Sequence, residues 1–110
     1  MNLTQLDSNY WVSPQITVED VAEAKNQGFD TIVCNRPDGE SDDQTPAVDI
    51  ARAAADQGIK FVELPMRGPN YSKEQVDTLS SLLDSQQKIL GYCRTGNRSS
   101  VLYRAVKGEG

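Results

Sequence analysis

Cys93-Arg94-Thr95-Gly96-Asn97-Arg98-Ser99-Ser100 gathers the most reactive side chains of this chain into one short stretch. It follows an apolar run, Ile89-Leu90-Gly91-Tyr92, that reads as a buried strand. It leads into Val101-Leu102-Tyr103-Arg104-Ala105-Val106, which reads as a helix. A cysteine on a strand-to-helix turn sits where backbone N–H groups converge on an anion. The helix dipole and a nearby arginine favour thiolate over thiol, so Cys93 is expected to be a nucleophile at neutral pH. Gly96 can take a backbone angle that turns N–H groups inward. Arg94, Thr95, Gly96, Asn97 and Arg98 are the expected anion-binding residues, with Cys93 and Arg98 doing the chemistry; Ser99 reads on its own as a helix N-cap.

The rest of the composition narrows what that chemistry can be. The chain has no histidine, which excludes a histidine-based triad and removes most zinc sites. The formal charge is −5, and no basic stripe stands out, so nucleic acid is not an expected partner. No apolar run approaches the ~20 residues of a membrane span. Met1 to Asp7 has neither the basic segment nor the apolar core of a secretory signal, so a cytoplasmic, reducing setting is the default. Two cysteines do not make a disulfide scaffold. No cofactor or metal is expected, because Glu40, Asp42 and Asp43 lack calcium-loop spacing and read as a solvated loop.

The elements that must position Cys93 alternate in type. Tyr10-Trp11-Val12 reads as a short strand. A helix capped by Thr17, with Asp20 three residues on, runs to Gly28. Phe29 to Cys34 is a second strand rich in β-branched residues. A helix spans about Pro46 to Gln57, and Lys60 to Leu64 is a third strand. Ser72 caps a helix with Val76, Leu79, Leu82 and Leu83 on one face. These predict one α/β domain over residues 1–110: a three-layer fold with about four parallel strands. Ligands in such sheets gather at the carboxyl ends of the strands, where the loops after Cys34, Leu64 and Tyr92 meet.

Four residues separate Cys93 from Arg98. That spacing resembles the tight loop of rhodanese-type sulfurtransferases, whereas cysteine phosphatases use five residues between Cys and Arg. The order of elements, from Tyr10-Trp11-Val12-Ser13-Pro14-Gln15 to the late Cys–Arg loop, resembles dual-specificity phosphatases. With Asn35-Arg36-Pro37-Asp38-Gly39-Glu40 added, nearly the whole chain resembles the bacterial phosphatase-like domain of β-lactamase-hydrolase-like proteins. The resemblance implies a cysteine-phosphatase fold and members described as phosphatases or sulfurtransferases, some fused to a metallo-β-lactamase-fold domain. It also implies that the Ser99 hydroxyl stabilises the sulfur. The last helix reads as barely two turns before Lys107-Gly108-Glu109-Gly110, where the family continues further, as if a fused domain could follow.

Phosphatases of this layout place a general-acid Asp after the strand equivalent to Lys60–Leu64. Here that loop reads Pro65-Met66-Arg67-Gly68-Pro69-Asn70, without an acid. Protonating the leaving alkoxide contributes roughly 10²–10⁴-fold, so its loss favours sulfur transfer, in which thiosulfate releases sulfite unprotonated. The leading expectation is a sulfurtransferase that carries a persulfide on Cys93 and passes it to an acceptor thiol or protein. Its small anionic donor, thiosulfate or a persulfide, would be held by Arg98 with Arg94 or Arg67. The alternative is a phosphatase that forms a phosphocysteine on Cys93, with Asp38 or Glu40 as substitute acid. A third reading is a non-catalytic anion-binding module. Arg36 and Asp38 are possible site-lining residues. Cys34 is most simply a core thiol, or else a resolving partner of Cys93. Tyr10 and Trp11 read as core and rim aromatics.

Overall fold

The computed structural model describes residues 1–108; Glu109 and Gly110 lie outside the described residues. Five strands and four helices follow in the order Thr4–Asp7 (β1), Tyr10–Ser13 (β2), Val18–Asn26 (α1), Thr31–Cys34 (β3), Ala47–Asp56 (α2), Lys60–Glu63 (β4), Lys73–Asp84 (α3), Ile89–Tyr92 (β5) and Asn97–Val106 (α4). The strands form one sheet in the order β1-β2-β5-β3-β4. The four expected strands are parallel: Ser13 and Cys34 both pair with Tyr92, and Cys34 pairs with Glu63. The fifth, β1, is an antiparallel edge strand irregular between Gln5 and Asp7. Both capping boxes are present, Thr17 with Asp20 and Ser72 with Gln75.

Alternation along the strands divides the core between two faces. Ile32, Cys34, Leu90 and Tyr92 pack against Val21 and Ala24 of α1 and Ala47, Ile50 and Ala54 of α2. Tyr10, Val12, Val33 and Ile89 pack against Leu79 and Leu82 of α3 and Leu102 of α4. The helices therefore cover both faces, and the loops after β3, β4 and β5 meet at one edge.

One departure from the expected boundaries matters for the site. Helix α4 begins at Asn97, four residues before Val101. Its first turn is polar, which hid it from apolar periodicity. Gly96 precedes it at φ 93°, a left-handed angle that glycine adopts freely. The N–H groups of this first turn have no acceptor inside the helix and are free to serve the loop.

Gly91 fits its strand because Tyr10 fills the space beside it. A methyl group at position 91 would overlap Tyr10 Oη and come within 3.0 Å of Cζ. Tyr10 cannot swing clear, since it is fully buried and stacked on Tyr103 with ring centroids 5.4 Å apart. Gly91→Ala is expected to cost about 1–3 kcal/mol, the usual range for overpacking. Denaturant melts check this, and the same substitution in a Tyr10→Phe background should cost less.

Candidate active site

Cys93 leaves β5 where sheet pairing still holds the chain: its N–H donates to Ser13 O at 3.4 Å, and Gln15 N–H donates to Arg94 O at 3.2 Å. Cys93 is fully buried yet belongs to neither apolar cluster. Gly96 N–H donates to its sulfur at 3.1 Å. Burial pushes the thiol pKa up, but the amides of Ser99, Thr95, Arg98 and Gly96 outweigh it and bring the net value below that of an ordinary thiol. A sulfur sunk among aliphatic groups would titrate the other way.

Arg98 ties three loops together. Its Nη1 donates to Glu40 Oε2 at 2.8 Å and to the Met66 carbonyl at 2.6 Å, and its Nη2 donates to Glu40 Oε1 at 2.7 Å. A guanidinium has five N–H donors. Those bonds leave Nε–H and the second Nη2–H, one edge of the fork, for the Cys93 sulfur, with which the guanidinium also interacts, and for a bound anion. That edge suits a tetrahedral anion bidentately. The Cys93 charge also bears on Arg98, after the larger effect of Glu40.

Glu40 is exposed on its loop, as expected, but its carboxylate is engaged rather than free. Arg36 Nε also donates to Glu40 Oε1 at 3.0 Å, while its Nη1 and Nη2 reach Gln15 Oε1 and Ser41 Oγ. Arg36, 4% exposed, is a buried strut rather than an open ligand. Hydrogen bonds from Arg98 hold the Glu40 carboxyl down at about 2, against an ordinary value of 4.5. A depressed carboxyl stabilises the fold above its unfolded pKa, and that contribution drains away as pH falls from about 4.5 toward about 2. Glu40→Gln is expected to flatten the loss of stability over that window, as read from denaturant midpoints at stepped pH.

The other candidates divide. Asp38 Oδ1 accepts from Ala47 N–H at 2.8 Å and so caps α2; it is engaged in holding a helix, not aimed at the sulfur. Cys34, Asp38 and Arg67 line a separate cleft of about 340 Å³ with Glu63 and Pro65. Cys34 and Cys93 are both free thiols. Cys34 packs on the α1–α2 face with Tyr92, and its Sγ–H donates to the Arg36 carbonyl at 3.3 Å. Arg94 lines a cleft of about 260 Å³ with Gln15, Arg36, Ser41, Asp43 and Gln44. Asn97 N–H donates to Thr95 Oγ1, and its side chain lines a third cleft with Ser13 and Pro14. The Ser99 hydroxyl donates to Asn35 Oδ1 at 2.8 Å instead of the sulfur; only its backbone amide serves Cys93.

Asn35 itself escaped the sequence reading. It is fully buried, accepts from Ser99, donates Nδ2–H to the Leu64 carbonyl at 2.9 Å, and accepts Met66 N–H on its own carbonyl. It ties the ends of β3, β4 and the Cys93 loop. A buried amide directly after an apolar strand was the available signal, since such a group must find partners.

Comparison with known proteins places this geometry. The sequence profile of the beta-lactamase hydrolase-like protein, phosphatase-like domain, matches residues 2–108. A beta-lactamase hydrolase-like protein of Agrobacterium fabrum is 24% identical over 110 residues, which is 99% of this chain and 25% of that protein. The chain spans about a quarter of the length of the curated relatives it matches. The crystal structure of a proposed phosphatase from Neisseria meningitidis aligns with a TM-score of 0.81 at 34% identity, covering 94% of this chain and 77% of that one. The core catalytic domain of a PP-IP phosphatase from S. cerevisiae aligns with a TM-score of 0.72 at 18% identity, covering 98% of this chain and 65% of that one, a likeness of fold alone. The fold is that of the cysteine phosphatases.

Proposed function

The chain belongs to the phosphatase-like domain family of beta-lactamase hydrolase-like proteins, and on that premise we propose that it is a phosphatase acting through Cys93. The observation that carries this reading is a thiol held below its ordinary pKa by four α4-end amides, beside an arginine with one open edge. The sequence-based lean toward sulfur transfer gives way, because the relative at 34% identity is a proposed phosphatase. The Cys93 thiolate attacks phosphorus, and the bond to the leaving oxygen breaks with its electron pair on oxygen. Water then attacks the phosphocysteine, the P–S bond breaks, and inorganic phosphate leaves with the thiolate restored. The amides and the Arg98 edge stabilise the equatorial oxygens through both steps. Glu40 and the Met66 carbonyl hold the opposite side of the guanidinium in place.

The leaving group sets the substrate class. The loop from Pro65 to Asn70 offers no acid, Asp38 is capping α2, and Glu40 is ionised at neutral pH. The favoured substrates are phosphate monoesters or anhydrides whose leaving oxygen departs without a proton, such as aryl phosphates and diphosphates. Paired turnover assays test the reading, one with an aryl phosphate and one with thiosulfate plus cyanide. Phosphate release without thiocyanate is expected. Thiocyanate without phosphate release would turn the assignment to a sulfurtransferase. Phosphate binding without either turnover would make the chain an anion-binding module.

A further inference from the structure

Among the described residues, Tyr10 Oη is the one buried side-chain polar atom without a hydrogen-bond partner. An orphaned buried hydroxyl is destabilising, so its retention calls for a use. Its location supplies one. Tyr10 stands on β2, next to β5, and its hydroxyl occupies the space that a side chain at Gly91 would fill. Gly91 lies on this face of β5, and Cys93 follows one residue past the strand's end, where continued alternation places it on the same side; the charge on Cys93 bears on the Tyr10 phenol. The hydroxyl that the family pattern would supply, from Ser99, is already given to Asn35.

We propose that Tyr10 directs its O–H dipole at the Cys93 sulfur and stabilises the thiolate from the β2 side, complementing the backbone amides of the loop. The inference rests on Cys93 being the nucleophile. Gly91 then has a purpose, which is to let a tyrosine hydroxyl reach the site past the strand. The stack on Tyr103, whose O–H donates to Asp7 Oδ2 at 2.8 Å, fixes the ring from the α4 side. The Tyr10 phenol is pushed well above its ordinary pKa, first by burial and then by the charge on Cys93, so it keeps its proton and acts as donor only. The other charged group bearing on the sulfur is Arg98 of α4, with Glu40 behind it.

Tyr10→Phe tests this by removing one oxygen from a packed site. The readout is the pH dependence of iodoacetamide alkylation at Cys93, resolved from Cys34 by peptide mass. The half-reaction pH is expected to rise by about half a unit or more, with unfolding stability unchanged or improved. An unchanged profile would overturn the role of Tyr10 while leaving Cys93 as nucleophile. Wild-type alkylation only above the ~8.5 of free cysteine would instead sink the thiolate itself. On the unmodified chain, ¹³Cζ-tyrosine NMR gives a second check: the Tyr10 signal should shift with the Cys93 titration midpoint, and a signal flat through that midpoint would also overturn the inference.

Discussion

Cys93→Ser is expected to lower aryl phosphate turnover on the order of 10⁴-fold or more, while phosphate still binds. Both halves come from the same geometry. The attack needs a sulfur that is ionised at neutral pH, and a serine hydroxyl has no base beside it to take its proton, in a chain without histidine. Binding needs the amides of residues 95, 96, 98 and 99 and the open Arg98 edge, none of which depends on sulfur. Initial rates and phosphate binding by calorimetry separate the two. Retained turnover in the serine variant would remove Cys93 from the mechanism. Loss of binding as well would mean that the sulfur holds the loop in shape.

The fold was legible where local chemistry and packing agree. Thr17 with Asp20 and Ser72 with Gln75 announce their helices, because a cap satisfies orphan N–H groups whatever the tertiary context. The strands around Ile32-Val33 and Leu90 are buried on both faces and read as apolar runs. Strand β1 had neither signal. Thr4-Gln5-Leu6-Asp7 lies at an edge with two exposed residues, so little of its sequence is set by a core. Helix α4 starts earlier than apolar periodicity suggests for a related reason: the amides of its first turn serve the Cys93 sulfur rather than the core, and periodicity cannot see them.

Of the candidate site, Cys93 and Arg98 could be read because type and spacing are fixed by the loop. The residues that orient them could not. Glu40 looks like its neighbours Asp42 and Asp43 until the fold brings Arg98 to it across 58 positions. Asn35 and Tyr10 follow the same rule, since their roles depend on a partner loop or an adjacent strand. Asp38 shows the converse: an acid in the right loop is diverted to a helix end nine residues away.

The leaving group should dominate the rate. With no protonated acid beside the scissile oxygen, alkyl phosphates are expected to turn over on the order of 10²–10⁴-fold more slowly than aryl phosphates, the contribution that a general acid makes. The pH profile should agree. A cysteine–aspartic acid pair gives a bell, because the acid must keep its proton while the thiol loses its own. Here the rate for a substrate without pKa values in the range should rise with ionisation of Cys93 and then hold level. Glu40 cannot supply a descending limb near neutrality, as its carboxyl titrates at about 2. Equal rates for alkyl and aryl substrates would show that a proton donor enters the site during turnover. A bell whose falling limb vanished in Glu40→Gln would identify that donor, with the bound phosphate dianion displacing Glu40 from Arg98 and raising its pKa by like-charge repulsion.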